Sequence, residues 1–213
     1  MRRRRFLKNT LFASAAMLGA PAIGAKRKPH VVVVGGGFGG AIAAKYLRIY
    51  SKGQIDVTLI EQHKQFVSCP MSNLVLVGLK EIAYCTQKYE QLADRWGVRI
   101  IHQRAEKIRA TSSRLIIADA SEIAYDRLVV SPGVELQWDA IEGMDHPKAH
   151  DVVVDAWQSG ADSVRLRDQI QALKPGGAVA ICIPLAPYRC PSAPYERASL
   201  IAWCLKKYKP GAT

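Results

Sequence analysis

The sequence is poor in acidic residues and has no basic stretch that is interleaved with aromatic residues. Its 213 residues include 30 Lys and Arg against 18 Asp and Glu, which gives a formal net charge of +12. Because the cations are spread along the chain, we expect no nucleic acid partner, while a diffuse positive face remains available to an acidic protein. A hydrophobic content of 49% excludes a disordered chain and fits one or two globular units.

The N-terminal part also lacks an apolar run long enough to cross a membrane. Residues 9–25, "NTLFASAAMLGAPAIGA", are interrupted by Gly and Pro and are too short for about 30 Å of hydrocarbon. They follow "MRRRRFLK", which carries five cations and no acid, so we predict a signal peptide over residues 1–25. Residues 3–8, "RRRFLK", resemble the twin-arginine export signal. We therefore expect a periplasmic mature chain without a transmembrane segment; an ordinary secretory signal is the alternative.

The chain contains few cysteines, and their number is odd. The five cysteines are Cys69, Cys85, Cys182, Cys190 and Cys204. In an oxidising compartment an odd count leaves at least one sulfur without a partner in the chain. That sulfur is buried, attached to another molecule, or paired outside the chain.

Apolar runs and helical patterns alternate along the mature chain. The runs "HVVVVG" (30–35) and "DVTLIE" (56–61) are typical of strands that are buried on both faces of a parallel sheet. Further segments with a clear pattern are a strand at 98–102, antiparallel strands within 114–133, helices at 86–96 and 161–173, and a buried strand at 178–183. This order predicts an α/β fold: a Rossmann-like domain over residues 26–145 and the start of a second Rossmann-like unit over residues 146–213.

A glycine motif directly follows the first predicted strand. Gly35, Gly37 and Gly40 form a GxGxxG sequence that opens a helix, with Phe38 and Gly39 inside it. In such motifs the glycines permit a tight turn, a close approach to a pyrophosphate and close helix packing. Glu61 ends the next strand, 21 residues after Gly40, where a carboxylate accepts hydrogen bonds from ribose hydroxyls. The set predicts dinucleotide binding; the alternative is a glycine-rich turn that binds nothing.

The segment "YDRLVVSPGVE" (125–135) favours FAD as that dinucleotide. It resembles the "YDxLVxATG" segment with which flavoproteins of the two-dinucleotide-domain type return the chain to the flavin. Ser and Pro replace the usual Ala and Thr, and Gly133 is kept.

Several stretches together resemble one family, the flavoprotein subunit of flavocytochrome c sulfide dehydrogenase. They are the export signal, "VVVVGGGFGGAIAAKY", "VTLIEQ", "SCPMSNLVLVG", "YDRLVVSPGVEL" and "PYRCPSAPYERAS", and they cover nearly the whole mature chain. The resemblance implies that Cys69 is bonded to the FAD 8α-methyl carbon as a thioether, which would account for one odd sulfur.

The loop "PLAPYRCPSAPYERAS" (184–199) stands where a second nucleotide-binding loop is expected. It has prolines at 184, 187, 191 and 194 and no GxGxxG, so it offers few N–H donors to a pyrophosphate and no NAD(P)H site is expected. The resemblance implies that Cys190 is half of a redox disulfide that sulfide attacks, with Glu196 as a nearby proton acceptor. The alternatives are a structural pairing of Cys190 with Cys182 or Cys204, and a Glu196 that only faces a helix dipole.

The resemblance implies an FAD-dependent oxidoreductase that converts sulfide to sulfur or polysulfide and passes electrons to a c-type cytochrome subunit. It also implies a longer chain, in which the partner of Cys190 lies beyond residue 213, so we expect a truncated chain. Two alternatives remain: a sulfide:quinone oxidoreductase, and an inactive flavin-binding remnant that docks a cytochrome.

Overall fold

The computed structural model describes residues 27–146, 148–155, 157, 159–183, 188 and 190–212. The predicted export signal lies outside these residues, as do Pro184 and Pro187 of the proline-rich loop.

The strands are β1 (His30–Val34), β2 (Asp56–Ile60), β3 (Gln65–Val67), β4 (Thr86–Lys88), β5 (Arg99–Ile101), β6 (Ala105–Arg109), β7 (Arg114–Ile117), β8 (Glu122–Ala124) and β9 (Arg127–Val130). The α-helices are α1 (Phe38–Tyr50), α2 (Asn73–Leu76), α3 (Glu90–Trp96), α4 (Ala149–Val152), α5 (Ala161–Ala172) and α6 (Ala193–Tyr208).

A parallel sheet with the order β5-β2-β1-β9 forms the centre of the molecule. Val33 and Leu59 belong to a core cluster on the α1 side, where Ala44 is buried. Val32 packs on the opposite side against Leu115, which belongs to the antiparallel sheet β6-β7-β8. Both faces of the parallel sheet are therefore covered, which is why its inner strands consist of continuous apolar runs. The predicted α/β, Rossmann-like fold is confirmed.

Two predicted elements differ in detail from the structure. Residues 114–133 were expected to hold antiparallel strands, and β7 and β8 pair in this way, but β9 joins the main sheet parallel to β1. The helix expected at 86–96 begins at Glu90, because residues 86–88 form β4 and pair with β3. The helix ends as expected at Gly97, whose φ of 64° is a left-handed conformation that suits glycine.

The buried strand predicted at residues 178–183 is wrong. These residues form no strand in the structure, and Ile181 and Ile183 are exposed. A strand needs a neighbour for its N–H and C=O groups, and no strand is found in the described part of residues 148–212. Instead α5 and α6 pack on each other through Ile170, Ile201 and Leu205. The second Rossmann-like unit stays a prediction.

Candidate functional site: the glycine loop and its surroundings

The glycine loop leaves β1 at the C-terminal edge of the parallel sheet. The Gly35 amide donates a hydrogen bond to Ile60 O at 2.9 Å, and its φ of 91° is a conformation that side-chain-bearing residues rarely adopt. A Cβ on Gly35 would lie 2.0 Å from Ser131 O, and one on Gly40 would lie 1.8 Å from Gly35 O. Both positions therefore need glycine for the loop to close.

The same loop exposes the N-terminal end of α1. Gly37 is the N-cap residue; it gives no side-chain cap, and the first turn of α1 contains no acidic residue. A Cβ on Gly37 would meet only the Phe66 ring, at 3.6 Å, so its outer side is open to a ligand. The Phe38 ring packs edge-to-face on Phe66 with centroids 4.9 Å apart, and Gly39 faces the Ser131 hydroxyl. An uncapped helix start with an open approach is suited to a phosphate.

Glu61 lies beside the glycine loop, directly after β2. Its carboxylate accepts hydrogen bonds from the Gly36 amide at 2.6 Å and from the His63 amide at 2.8 Å. A carboxylate has about four acceptor positions, so capacity remains for ribose hydroxyls. The structure thus brings together the glycines and the acid that the sequence predicted for one cofactor.

Gly133 lies in the segment that follows β9. Its φ is 82°, and no other atom lies within 4 Å of the position of an added Cβ. The segment is fixed to the loop by Ser131, whose amide donates to Val34 O at 2.8 Å. Ser131, noted in the sequence only as an exception to a pattern, fills the space that a Cβ on Gly35 would need and lies next to Gly39.

Tyr89 is a contact of the glycine loop that sequence reasoning missed. It is 5% exposed, and its hydroxyl donates to Gly36 O at 3.1 Å. Burial, and to a smaller extent the negative charge of Glu61, raise the pKa of Tyr89 well above its usual range. In the sequence it appears inside "TQKYEQL", which gives no sign that its side chain reaches a loop 53 residues away.

A cavity of about 500 Å³ lies next to the loop. Its walls include Gly37, Phe38, Phe66, Met71 and Tyr84, but neither Glu61 nor Gly133. The cavity therefore lies beside the predicted dinucleotide site and overlaps it only at the glycine loop.

Cys69 lies in the turn after β3 and is exposed. Its thiol donates to Trp157 O at 3.2 Å, and the hydroxyl of Ser159 donates to Val67 O at 3.0 Å. The turn that carries Cys69 is thus in contact with the segment that leads into α5. Cys85, which the sequence left unassigned, is buried at the end of a short 3-10 helix directly before β4, and burial raises the pKa of its thiol.

A polar network connects this part of the molecule to α6; we call Asn73, Asp155, Glu196 and Arg197 the Asn73 network. Asn73 Nδ2 donates to Glu196 Oε1 at 3.0 Å, and Arg197 Nε donates to Asn73 Oδ1 at 3.2 Å. Arg197 Nη1 also donates to Asp155 O at 2.7 Å. Burial lowers the pKa of Arg197, and electrostatic interactions with Cys69, Asp155 and Glu196 oppose that shift. Sequence reasoning did not find Asn73, Asp155 or Arg197.

Cys190 lies just before α6 and is exposed. Its φ is 57°, its carbonyl accepts a hydrogen bond from the Ala193 amide at 3.0 Å, and its sulfur lies 3.8 Å from Ser192 Oγ. Among the described residues, a hydrogen bond joins Glu196 to the Asn73 network, and none is found between Cys190 and that network.

The five cysteines are all free, so the alternative pairing of Cys190 with Cys182 or Cys204 is not formed here. Cys182 was expected in a buried strand; it is exposed, because residues 178–183 form no strand. Cys204 lies on α6 and is buried, with its sulfur 3.9 Å from Val77 O.

Neither a metal cluster nor a membrane-spanning helix is found among the described residues. No cluster of three or more metal-ligating side chains is found there. None of the described helices combines the length and apolar character needed to pass through a bilayer.

Comparisons with known proteins agree with this architecture. Residues 29–168 match the family model described as pyridine nucleotide-disulphide oxidoreductase, and residues 163–213 match the model described as sulfide dehydrogenase [flavocytochrome c] flavoprotein chain, central. The mitochondrial sulfide:quinone oxidoreductase of Dictyostelium discoideum is 27% identical over 92% of this chain and 42% of its own length. The sulfide dehydrogenase [flavocytochrome c] flavoprotein chain of Chlorobaculum thiosulfatiphilum is 61% identical over 46 residues, which are 22% of this chain and 94% of that sequence.

A solved structure shares the fold. The sulfide:quinone oxidoreductase of Aquifex aeolicus superposes with a TM-score of 0.69 at 23% identity, covering 86% of this chain and 42% of that one. The chain spans less than half the length of the sulfide:quinone oxidoreductases that it matches. The first family model alone covers well over half of the sequence, from β1 into α5. The chain therefore belongs to the pyridine nucleotide-disulphide oxidoreductase family.

Proposed function

We propose that this chain is the FAD-binding part of an exported flavoprotein that oxidises sulfide and passes the electrons to a c-type cytochrome. The observation that carries the proposal is the glycine loop, which opens the uncapped start of α1 beside Glu61. The substrate class is supported by the resemblance to sulfide dehydrogenase flavoprotein chains. The twin-arginine-like head supports export to the periplasm.

The residues of the loop fit FAD. The backbone N–H groups at the start of α1 would hold the pyrophosphate, and the Glu61 carboxylate would accept from ribose hydroxyls. Ser131 and Gly133 follow β9 at the same sheet edge, where the flavin part of the cofactor is expected. FAD, when bound, supplies an acceptor for the two electrons of the sulfur substrate.

Three side chains have proposed roles in chemistry. Cys69, exposed in the turn after β3, would hold the flavin as a thioether. Cys190 would present a disulfide sulfur to sulfide, with its partner cysteine outside this chain. Glu196 would accept the proton released in that step, and Asn73 fixes one of its oxygens.

Covalent flavin attachment is tested on protein purified from the native host. We expect the acid-precipitated protein to keep its yellow colour, and peptide mass spectrometry to find FAD on the peptide that contains Cys69. Cys69→Ser should lose the acid-stable colour, while Cys85→Ser, which removes the neighbouring buried thiol, should keep it. Flavin-loaded protein with an unmodified Cys69 would refute the thioether.

A sulfide:quinone oxidoreductase is the second candidate, favoured by the 27% identity to the Dictyostelium enzyme over 92% of this chain. The two are separated by following flavin reoxidation after sulfide addition, with cytochrome c or a soluble quinone as the acceptor. Faster reoxidation by cytochrome c supports our proposal, and faster reoxidation by quinone supports the alternative. The measurement is made on protein purified from the native host, where a flavin that sulfide never bleaches would indicate the inactive remnant.

A further inference from the structure

Tyr89 and Glu61 hold Gly36 from both sides. The Gly36 amide donates to Glu61 Oε2 at 2.6 Å, and the Gly36 carbonyl accepts from the Tyr89 hydroxyl at 3.1 Å. Both peptide groups that flank Gly36 are thereby fixed. Because Gly36 lies between the first two glycines of the GxGxxG motif, its orientation sets that of the following peptide.

The direction of the Gly37 N–H follows from peptide geometry. In a trans peptide the C=O of one residue and the N–H of the next point in opposite directions. Since the Gly36 carbonyl points at Tyr89, the Gly37 N–H points away from Tyr89. No acceptor for this N–H is recorded among the described residues, and the outer side of Gly37 is open as far as Phe66.

Tyr89 also accounts for the glycine at position 36, which the GxGxxG motif does not require. A Cβ at this position would lie 2.6 Å from the Tyr89 hydroxyl oxygen and 2.8 Å from two atoms of its ring. Real side chains essentially never come this close, so the loop and the phenol fit together only when residue 36 is glycine.

We propose that Tyr89 is a positioning residue for the cofactor pyrophosphate: its hydroxyl orients the Gly36–Gly37 peptide so that the Gly37 N–H faces the phosphate. This inference rests on the proposed binding of FAD at the loop. Tyr89 itself touches no phosphate, because it lies on the carbonyl side of the peptide. Burial raises the pKa of the Tyr89 phenol, which favours the protonated form that donates to the Gly36 carbonyl.

The test uses flavin-free protein in a Cys69→Ser background, because an attached FAD would occupy the site. It compares a ligand that has phosphates with one that lacks them. FAD and ADP carry the pyrophosphate, whereas adenosine keeps only the base and ribose. Tyr89→Phe retains the ring and removes the hydroxyl, so binding of FAD and ADP should weaken roughly five- to tenfold, the size expected for one hydrogen bond. Adenosine, titrated by NMR to millimolar concentration, should bind the variant as it binds the wild type.

Two further variants complete the design. Tyr84→Phe removes a hydroxyl from the wall of the neighbouring cavity without touching the loop, and should bind all three ligands unchanged. Gly36→Ala displaces Tyr89 sterically. It should weaken the binding of FAD and ADP by the same factor as Tyr89→Phe and leave the binding of adenosine unchanged. This variant gives an independent measurement if Tyr89→Phe does not fold.

Each outcome decides something different. A wild-type protein that binds neither FAD nor ADP refutes the proposed function and this inference with it. A wild-type protein that binds both, with a Tyr89→Phe variant that binds them equally well, refutes the inference alone. Equal losses of affinity for ADP and adenosine in the Tyr89→Phe variant would show that Tyr89 only packs against the loop, and this result also refutes the inference.

Discussion

Residues 27–130, the sheet region, and residues 148–212, the helical region, start from similar sequence patterns and fold differently. Each contains a continuous apolar run, then a loop, then a helix: residues 30–50 in the first and 178–208 in the second. The first run becomes β1, paired on both sides by β2 and β9. The second forms no strand, and all of its residues except the half-buried Val179 are exposed.

The difference shows that an apolar run becomes a buried strand only where neighbouring strands are present. Val32 and Val33 are fully buried because β2 and β9 flank them and helix and sheet cover them. The helical region contacts the sheet region through polar groups, among them the Asn73 network and the hydrogen bond from Cys69 to Trp157. It also packs α5 and α6 against the short helix α2.

The largest effect is expected from Gly40→Ala in the sheet region. The new Cβ would lie 1.8 Å from Gly35 O, a backbone atom that cannot move without opening the loop. We expect a loss of roughly 3 kcal/mol in the free energy of unfolding, as for severe overpacking, together with loss of FAD binding. Chemical denaturation measures the first and fluorescence titration the second.

Gly39→Ala is the matched control for that substitution. Its Cβ would meet Ser131 Oγ at 3.5 Å, an ordinary contact, and alanine favours the helix by up to about 1 kcal/mol. Its stability should therefore equal or exceed that of the wild type. If both alanines cost the same, close helix–strand packing is not the reason for the glycine at position 40.

The contrast between the two apolar runs is tested by two alanine substitutions, one in each run. Val33→Ala leaves a cavity in a fully buried position and should cost about 2–3 kcal/mol. Ile181, 39% exposed, should tolerate alanine within about 0.5 kcal/mol. Thermal and chemical unfolding give both values. Equal losses at the two positions would mean that residues 178–183 are buried in a sheet after all.

The attachment of the helical region is tested at Arg197. Arg197→Ala removes the donors to Asn73 and to Asp155 O, and should cost about 1–2 kcal/mol with faster hydrogen exchange in α6. Arg104→Ala removes an exposed ion pair with Glu106 and should cost no more than about 0.5 kcal/mol. Unchanged exchange in α6 of the Arg197 variant would show that apolar packing alone holds the helix.

The smallest effect concerns acid stability at the edge of the sheet region. The His30 amide first, and then Arg27, hold the pKa of Asp126 below its ordinary value of 3.8. The folded state favours the ionised form of Asp126. Its contribution to stability is therefore present at pH values above the ordinary pKa and is lost as the pH falls through the pKa of the folded state. Asp126→Asn should therefore lower stability at neutral pH, by an amount that shrinks in acid.

The control for that measurement is Asp94→Asn, which changes an exposed carboxylate on α3. Unfolding curves recorded from pH 7 down to pH 2 should differ from the wild type for the Asp126 variant only. A constant difference at all pH values would attribute the effect of Asp126 to the shape of its side chain and not to its charge.

Much of the sheet region could be predicted because its signals are local. The apolar runs of β1 and β2, the glycines at 35, 37 and 40 and the stop at Gly97 each depend on a few neighbouring residues. The contact of Arg197 with Asn73 spans 124 positions, and that of Tyr89 with Gly36 spans 53. Such pairs are brought together only by the folded chain, and nothing in their immediate sequence marks them.

At Cys190 the backbone conformation opposes stability, and the chemistry proposed for its thiol would offset that cost. Its φ of 57° is strained for a residue with a side chain, and the proline that follows further restricts it. Glycine would adopt the same turn without that strain, and would remove the thiol as well. Selection for stability alone would therefore favour glycine at this position. A cysteine in this strained conformation is typical of a site where stability is given up for activity.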